Sequence, residues 1–210
     1  RYQSDRFTRG GPVADVPGSW NVNGTIRTDS RKPIILALGS SYSHDASGGA
    51  SRSVGLSIES RPTSFLHIAV GPNYSSSKST GQYVRAVDDA LASATYGRRY
   101  VFADLKQTTV SMTTRLEWTF TPTLSFQLYA QPLLSSGRYT RIKEFARPRS
   151  YEFAVYGIDR GTIVRDPVTT NYSVDPDGSG GSPSFTVSNP DFNFRSLRGN
   201  AVVRWEYRPG

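Results

Sequence analysis

The sequence predicts an all-β fold: an antiparallel, up-and-down transmembrane β-barrel, or an incomplete portion of one, with long external loops. Three observations predict it. Six segments alternate apolar and polar side chains, with the apolar ones at even positions, over about ten residues each. That length is what a tilted strand needs to cross hydrocarbon. Connections segregate by length. Short proline-bearing turns at Pro33, Pro62, Pro122 and Pro209 fall at one end, and longer segments at 45–50, 75–97 and 135–199 fall at the other. Aromatic side chains collect at strand ends. Tyr42 and Tyr74 stand at the outer end, and Trp118, Phe120, Trp205 and Tyr207 at the turn end, as rings do where hydrocarbon meets headgroups.

Each element follows in chain order as a single domain over residues 1–210. Residues 1–18 hold Gly10, Gly11, Pro12 and Pro17 and read as loop. A first strand carries Trp20, Val22 and Ile26 against Asn21, Asn23, Thr25 and Arg27. After the turn Asp29 to Pro33, the next strand sets Ile34, Leu36, Leu38 and Tyr42 against Ala37, Gly39, Ser41 and Ser43. The Gly-rich segment 45–50 leads into the clearest alternation, Ser51 to Ser60, with Val54, Leu56 and Ile58 on one side. A tight connection at Arg61-Pro62-Thr63 precedes a strand carrying Leu66, Ile68, Val70 and Tyr74.

Residues 75–97 read as an external loop, with a short helix expected over Ala86 to Ala94. One long strand is expected from Tyr100 to Phe120, then a turn at Pro122, then a strand carrying Leu124, Phe126, Leu128 and Leu134. Residues 135–199 read as a second long external loop, with a short strand at Tyr151 to Tyr156. The last strand carries Ala201, Val203, Trp205 and Tyr207 outward and Arg204, Glu206 and Arg208 inward, and it stops at Pro209-Gly210. Seven principal strands result. Closed bacterial barrels take an even number, so an incomplete wall is expected.

Composition limits the alternatives. Apolar residues make up 36% of the 210 residues, and no apolar run approaches the roughly 20 residues of a membrane helix. Cysteine is absent, which excludes a disulfide scaffold and thiolate metal sites and accords with an oxidising envelope compartment. The chain begins at Arg1, which reads as a removed leader or an internal start. Lys and Arg number 25 against 17 Asp and Glu, a net charge of +8. Arg98, Arg99, Arg138, Arg141, Lys143, Arg147 and Arg149 fall in the segments read as loops. They are expected either to meet anionic headgroups and sugar phosphates or to be solvated loop charges. Nucleic acid is not an expected partner, because these charges lie between strands and not on one face with aromatics.

The alternation assigns faces. Leu36, Leu38, Leu56, Ile58, Ile68, Val70, Leu116, Trp118, Leu128 and Trp205 are expected to face lipid. Glu59, His67, Arg115, Glu117, Arg204 and Glu206 are expected to face the lumen, where opposite charges pair across strands. His67 reads as a lumen hydrogen-bonding group and not a metal ligand. Asp88-Asp89 reads as a solvated loop pair. No nucleophile elbow, zinc motif or phosphate loop is present, and no catalytic residue is expected. One segment suggests a cation. Asp175, Asp177 and Ser179 place oxygens at alternate positions near glycine, as in a Ca2+ loop, although Thr186 stands where a bidentate Glu would close it. A plain external turn is the other reading. No other cofactor is expected.

Several blocks are more specific. They are Arg9-Gly10-Gly11-Pro12, Thr28-Asp29-Ser30-Arg31-Lys32-Pro33, Arg99 to Leu105, Leu116 to Pro122, Leu128 to Pro132, Asn189 to Asn200, and Arg204 to Gly210. Together they resemble the C-terminal outer-membrane barrel of an uncharacterised bacterial family whose members carry an N-terminal module similar to carbohydrate-binding family 9. The resemblance implies a Gram-negative envelope protein, a surface anchor or channel linked to glycan binding or uptake, with glycans contacted through that module. It supplies no catalytic residues. The partners expected are membrane lipid, lipopolysaccharide and other envelope proteins, and the expected location is the bacterial outer membrane. The competing reading is a water-soluble β-sandwich acting as a binding module.

Overall fold

The computed structural model describes residues 2–207. The turn expected at Pro209-Gly210 and the inward Arg208 lie outside the described residues. In chain order the strands are β1 (Gln3–Ser4), β2 (Ala14–Asp15), β3 (Ser19–Arg27), β4 (Ile34–Asp45), β5 (Ala50–Thr63), β6 (Leu66–Asp88), β7 (Arg98–Thr121), β8 (Leu124–Phe145), β9 (Phe153–Val155), β10 (Thr162–Arg165), β11 (Tyr172–Asp175), β12 (Phe185–Val187) and β13 (Phe192–Trp205). The strands pair antiparallel. β3, β4, β5, β6, β7, β8 and β13 lie side by side in that order, and β9 extends the β13 side of β8. β3 and β13 are the two edges of this sheet and do not pair with each other, so the described chain forms an open, continuous wall.

The strands are longer than the alternation predicts. The segment 75–97 is not a loop: β6 continues through Asp88, and β7 starts at Arg98. The helix expected over Ala86 to Ala94 is strand to Asp88, followed by a single 3-10 turn at Ser93–Thr95. The segment 135–199 likewise contains the last half of β8, the short strands β9 to β12 and the first half of β13. Residues 1–18, expected as loop, hold the β1–β2 hairpin and a 3-10 turn at Arg6–Thr8. β5 runs to Thr63, so Pro62 sits in its irregular end, and the connection to β6 is Ser64-Phe65.

Why the sheet extends is visible in its packing. Near the proline turns the sheet is one layer thick, and large apolar side chains there are exposed. At the far end it is the middle of three layers. On one face Val101, Ala103 and Ile142 pack against Val174 and Val187 of the small sheet β10–β11–β12 and against Tyr156. On the other face Tyr100, Phe102 and Phe145 pack against Ala14, Phe7 and Phe153. Phe7 stacks on Phe102 with ring centroids 4.6 Å apart. Both faces are covered here, so burial supports long strands without any alternation in the sequence.

One glycine is required at the entry to the small sheet. Gly161 has φ +53°, and a Cβ there would overlap the Asp175 carbonyl oxygen and the Pro176 backbone. Gly161→Ala is expected to destabilise this three-layered far end of the molecule, the cap, by about 2 kcal/mol or more, from the left-handed backbone and the overlap together. Hydrogen exchange of the β10–β12 amides checks it, with faster exchange there and unchanged protection in β4 and β5.

Candidate functional site

On one face of the main sheet, cross-strand register builds a continuous apolar field. Leu38 lies opposite Ile26 and Leu56, and Ile58 opposite Leu36 and Val70. Ile68 lies opposite Leu116, Leu116 opposite Leu128, and Leu128 opposite Ala201. Trp118 stands between Leu66 and Phe126, and Trp205 opposite Leu124. Every residue expected to face lipid therefore shares this one face. Leu36 and Trp118 are about two-fifths exposed, Leu38 nearly half, Trp205 70% and Ile26 76%. None of them belongs to either core cluster.

The field has a definite height. On β7 it runs from Phe120 to Val110, which is about 34 Å along the strand, or about 24 Å in projection at a 45° tilt. Its two ends carry rings. Trp118 and Phe120 lie 4.3 Å apart between centroids at the turn end, and Trp20 and Tyr42 lie 5.4 Å apart at the other. Beyond Tyr74, Val110 and Leu134 the same face carries Ser76, Thr108 and Ser136 in one row, then Lys78, Lys106 and Arg138 in the next. Arg52 stands opposite Ser76 and Tyr42. All four cations are exposed. Of them, only Arg138 was singled out by sequence reasoning. The signal was present, because Arg52, Lys78 and Lys106 keep the even parity of the apolar residues before them.

The opposite face is wet. His67 Nε2 lies 3.2 Å from Glu59 Oε1 and His67 Nδ1 lies 3.5 Å from Glu117 Oε2, so one imidazole on β6 bridges two carboxylates, one on β5 and one on β7. Arg61 also meets Glu59 at 3.0 Å. The Arg115 guanidinium stands 5.7 Å from the Tyr129 ring centroid. Arg204 lies opposite Ser125, and the Glu206 amide donates to the Thr123 carbonyl. The structure thus groups Glu59, His67 and Glu117 and leaves Arg115, Arg204 and Glu206 apart from them. Hydroxyls fill much of the remainder, with Ser41 and Ser53 at 2.8 Å and Thr109 and Ser135 at 2.9 Å.

Five of the basic residues expected in loops, Arg98, Arg99, Arg141, Lys143 and Arg147, pair with carboxylates instead. Arg99 is buried. Its Nε donates to Asp89 at 2.6 Å, its Nη1 to Glu144 at 2.6 Å and its Nη2 to Ser182 at 3.0 Å. Glu144 also accepts from Tyr156 at 2.7 Å and pairs with Arg160. Lys143 is buried too, donating to Asp104 at 2.6 Å. Arg98 pairs with Asp88 and Arg147 with Glu152, both at 2.6 Å. Of the pair expected in a solvated loop, Asp88 is exposed but Asp89 is buried. Burial would raise the Asp89 carboxyl, but hydrogen bonds from Arg99 and the Leu91 amide, with the Arg99 charge, hold it below the usual carboxylate range. Burial and the neighbouring Glu144 charge push the Tyr156 phenol up. The buried groups Asp89, Arg99, Asp104, Lys143 and Glu144 tie the cap together through these contacts.

The segment read as a cation loop is a turn from β11 into β12. Asp175 Oδ1 accepts from the Gly178 amide at 3.0 Å, and Asp177 Oδ2 accepts from the Ser182 amide at 2.9 Å. Ser179 is exposed. Thr186 lies inside β12, with its carbonyl taken by Arg85 at 2.7 Å. Among the described residues no group of three or more His, Cys, Asp or Glu is gathered where it could hold a metal ion. Comparison of the chain with protein-family models, curated proteins and solved structures finds no match.

Proposed function

We propose that the chain is part of the wall of a bacterial outer-membrane β-barrel, carrying on its outer side a folded cap, and that it serves as a surface anchor or channel without catalysis. One observation carries this reading. The apolar field is exposed, ring-bordered and about as tall as the roughly 25 Å band of such barrels, and the opposite face is polar. Water is a poor cover for so large a contiguous apolar surface, and lipid tails are a good one. A β-sandwich would stack a second sheet on this field; the small sheet β10–β12 packs only at the far end. The link to glycans rests on the sequence blocks that resemble the envelope family. Placement of the cap outside follows from the short turns at the opposite end, since barrels keep their short turns on the periplasmic side.

Vesicle insertion tests the proposal. Refolded with phosphatidylcholine vesicles, the chain is expected to float with them. Trp118 and Trp205 fluorescence is expected to be quenched by brominated acyl chains. A monodisperse protein without detergent, its tryptophans reached by iodide and not by brominated lipid, sinks the reading.

A further inference from the structure

We infer that Arg52, Lys78, Lys106 and Arg138 bind the phosphates of an outer-leaflet lipid headgroup, the chemistry of lipopolysaccharide; this rests on the membrane reading above and names a ligand for that face. Three features carry it. The first is repulsion. Lys78 stands directly opposite Lys106, and Lys106 directly opposite Arg138. Like charges facing each other across strands destabilise a sheet, so the row is built at a cost that an anion offsets.

The second is partnership. In the cap, Arg98, Arg99, Arg141, Lys143, Arg147 and Arg160 each meet a carboxylate. Among the described residues, Arg52, Lys78, Lys106 and Arg138 meet none. Charges of the same type are thus neutralised in one place and left available in another.

The third is depth. On β6, β7 and β8 three successive rows of one face pass from apolar (Tyr74, Val110, Leu134) to hydroxyl (Ser76, Thr108, Ser136) to cationic (Lys78, Lys106, Arg138), and on β13 Arg195 already stands opposite Leu134. The cations lie about 13 Å along the strands from the apolar row, and about 9 Å along the normal at barrel tilt. A bilayer's polar region is about 5–8 Å thick per side, so the row stands at its outer edge, within side-chain reach of headgroup phosphates. The row spans two strand spacings, about 10 Å, enough for one headgroup to present phosphates to both ends. A cleft of about 300 Å3 opens there, bordered by Tyr42, Arg52, Ser76, Lys78 and Lys106. Arg offers a fork to phosphate oxygens and Lys a mobile point charge.

The test uses the full chain folded into phosphatidylcholine vesicles doped with bisphosphorylated lipid A, or with the same lipid after enzymatic removal of its phosphates. Wild type is expected to prefer the phosphorylated lipid, and the preference is expected to shrink with added salt. The combined variant Arg52→Gln, Lys78→Gln, Lys106→Gln and Arg138→Gln is expected to float with plain vesicles as wild type does. Its lipid A binding is expected to weaken by up to about a thousandfold. Equal binding of both lipids by wild type, or undiminished binding by the variant, overturns the inference while leaving the membrane reading intact. Full displacement of lipid A by millimolar inorganic phosphate, or by an oligonucleotide, overturns the assignment to a lipid. Failure of wild type to float with plain vesicles overturns the membrane reading, and this inference with it.

Discussion

Glu144→Ala is expected to destabilise the cap by about 3–5 kcal/mol. Its side chain is 3% exposed and receives Arg99, Arg160 and Tyr156. Removing it strands the Arg99 guanidinium, 6% exposed, with only Asp89 for charge compensation. The measurement is hydrogen exchange across 89–99 and 144–187, with limited proteolysis beside it. Loss of protection below about 1 kcal/mol, the range of a surface pair, would show the network to be dispensable. The same network sets an acid limit. The Asp89 carboxyl is held low in the folded chain, so the unfolded chain binds more protons as pH falls through the carboxylate range. The stability from this group is complete above the ordinary carboxylate pKa and is lost as pH drops through the lower, folded value. Cap protection is therefore expected to hold at neutral pH and to fall on acidification below about pH 4.

Val70→Arg is expected to cost about 2–4 kcal/mol for the vesicle-inserted chain. Val70 sits midway along the apolar field on β6, between Ile58 and Thr114, where a cation would meet the bilayer midplane. Ser111→Arg is the matched control. It lies on the wet face, opposite Asn73, and its effect is expected to stay within about 0.5 kcal/mol. Denaturant unfolding from vesicles measures both. If water covered the field, the arginine at position 70 would be an ordinary surface change. Equal, small effects of the two substitutions would then remove the hydrocarbon from the account.

How much of this was legible in the sequence depends on what covers each face. Val54, Leu56 and Ile58 alternate with Ser53, Gly55 and Ser57, and the structure makes that stretch strand. Alternation reports a sheet whose faces meet different solvents. It vanishes at Ser75 to Thr80, where both faces are polar, and those residues read as loop although they are strand. It is equally absent at Val101, Phe102 and Ala103, where both faces are buried by protein. Seven strands in sequential order were readable, and the cap was not, because β10 to β12 are too short to show a period. Partnerships were the least readable part. Arg99 meets Glu144 across 45 positions and Lys143 meets Asp104 across 39, and no local spacing signals such contacts. For Lys78, Lys106 and Arg138 the shared parity was readable but their adjacency was not, since they adjoin only through register.

β6, β7 and β8 pass without a break from the apolar field into the core of the cap. A tug on the cap would therefore travel lengthwise through those ladders and load many hydrogen bonds at once in shear, instead of peeling them singly. No linker separates the cap from the rest of the sheet, so whatever grips one grips the other.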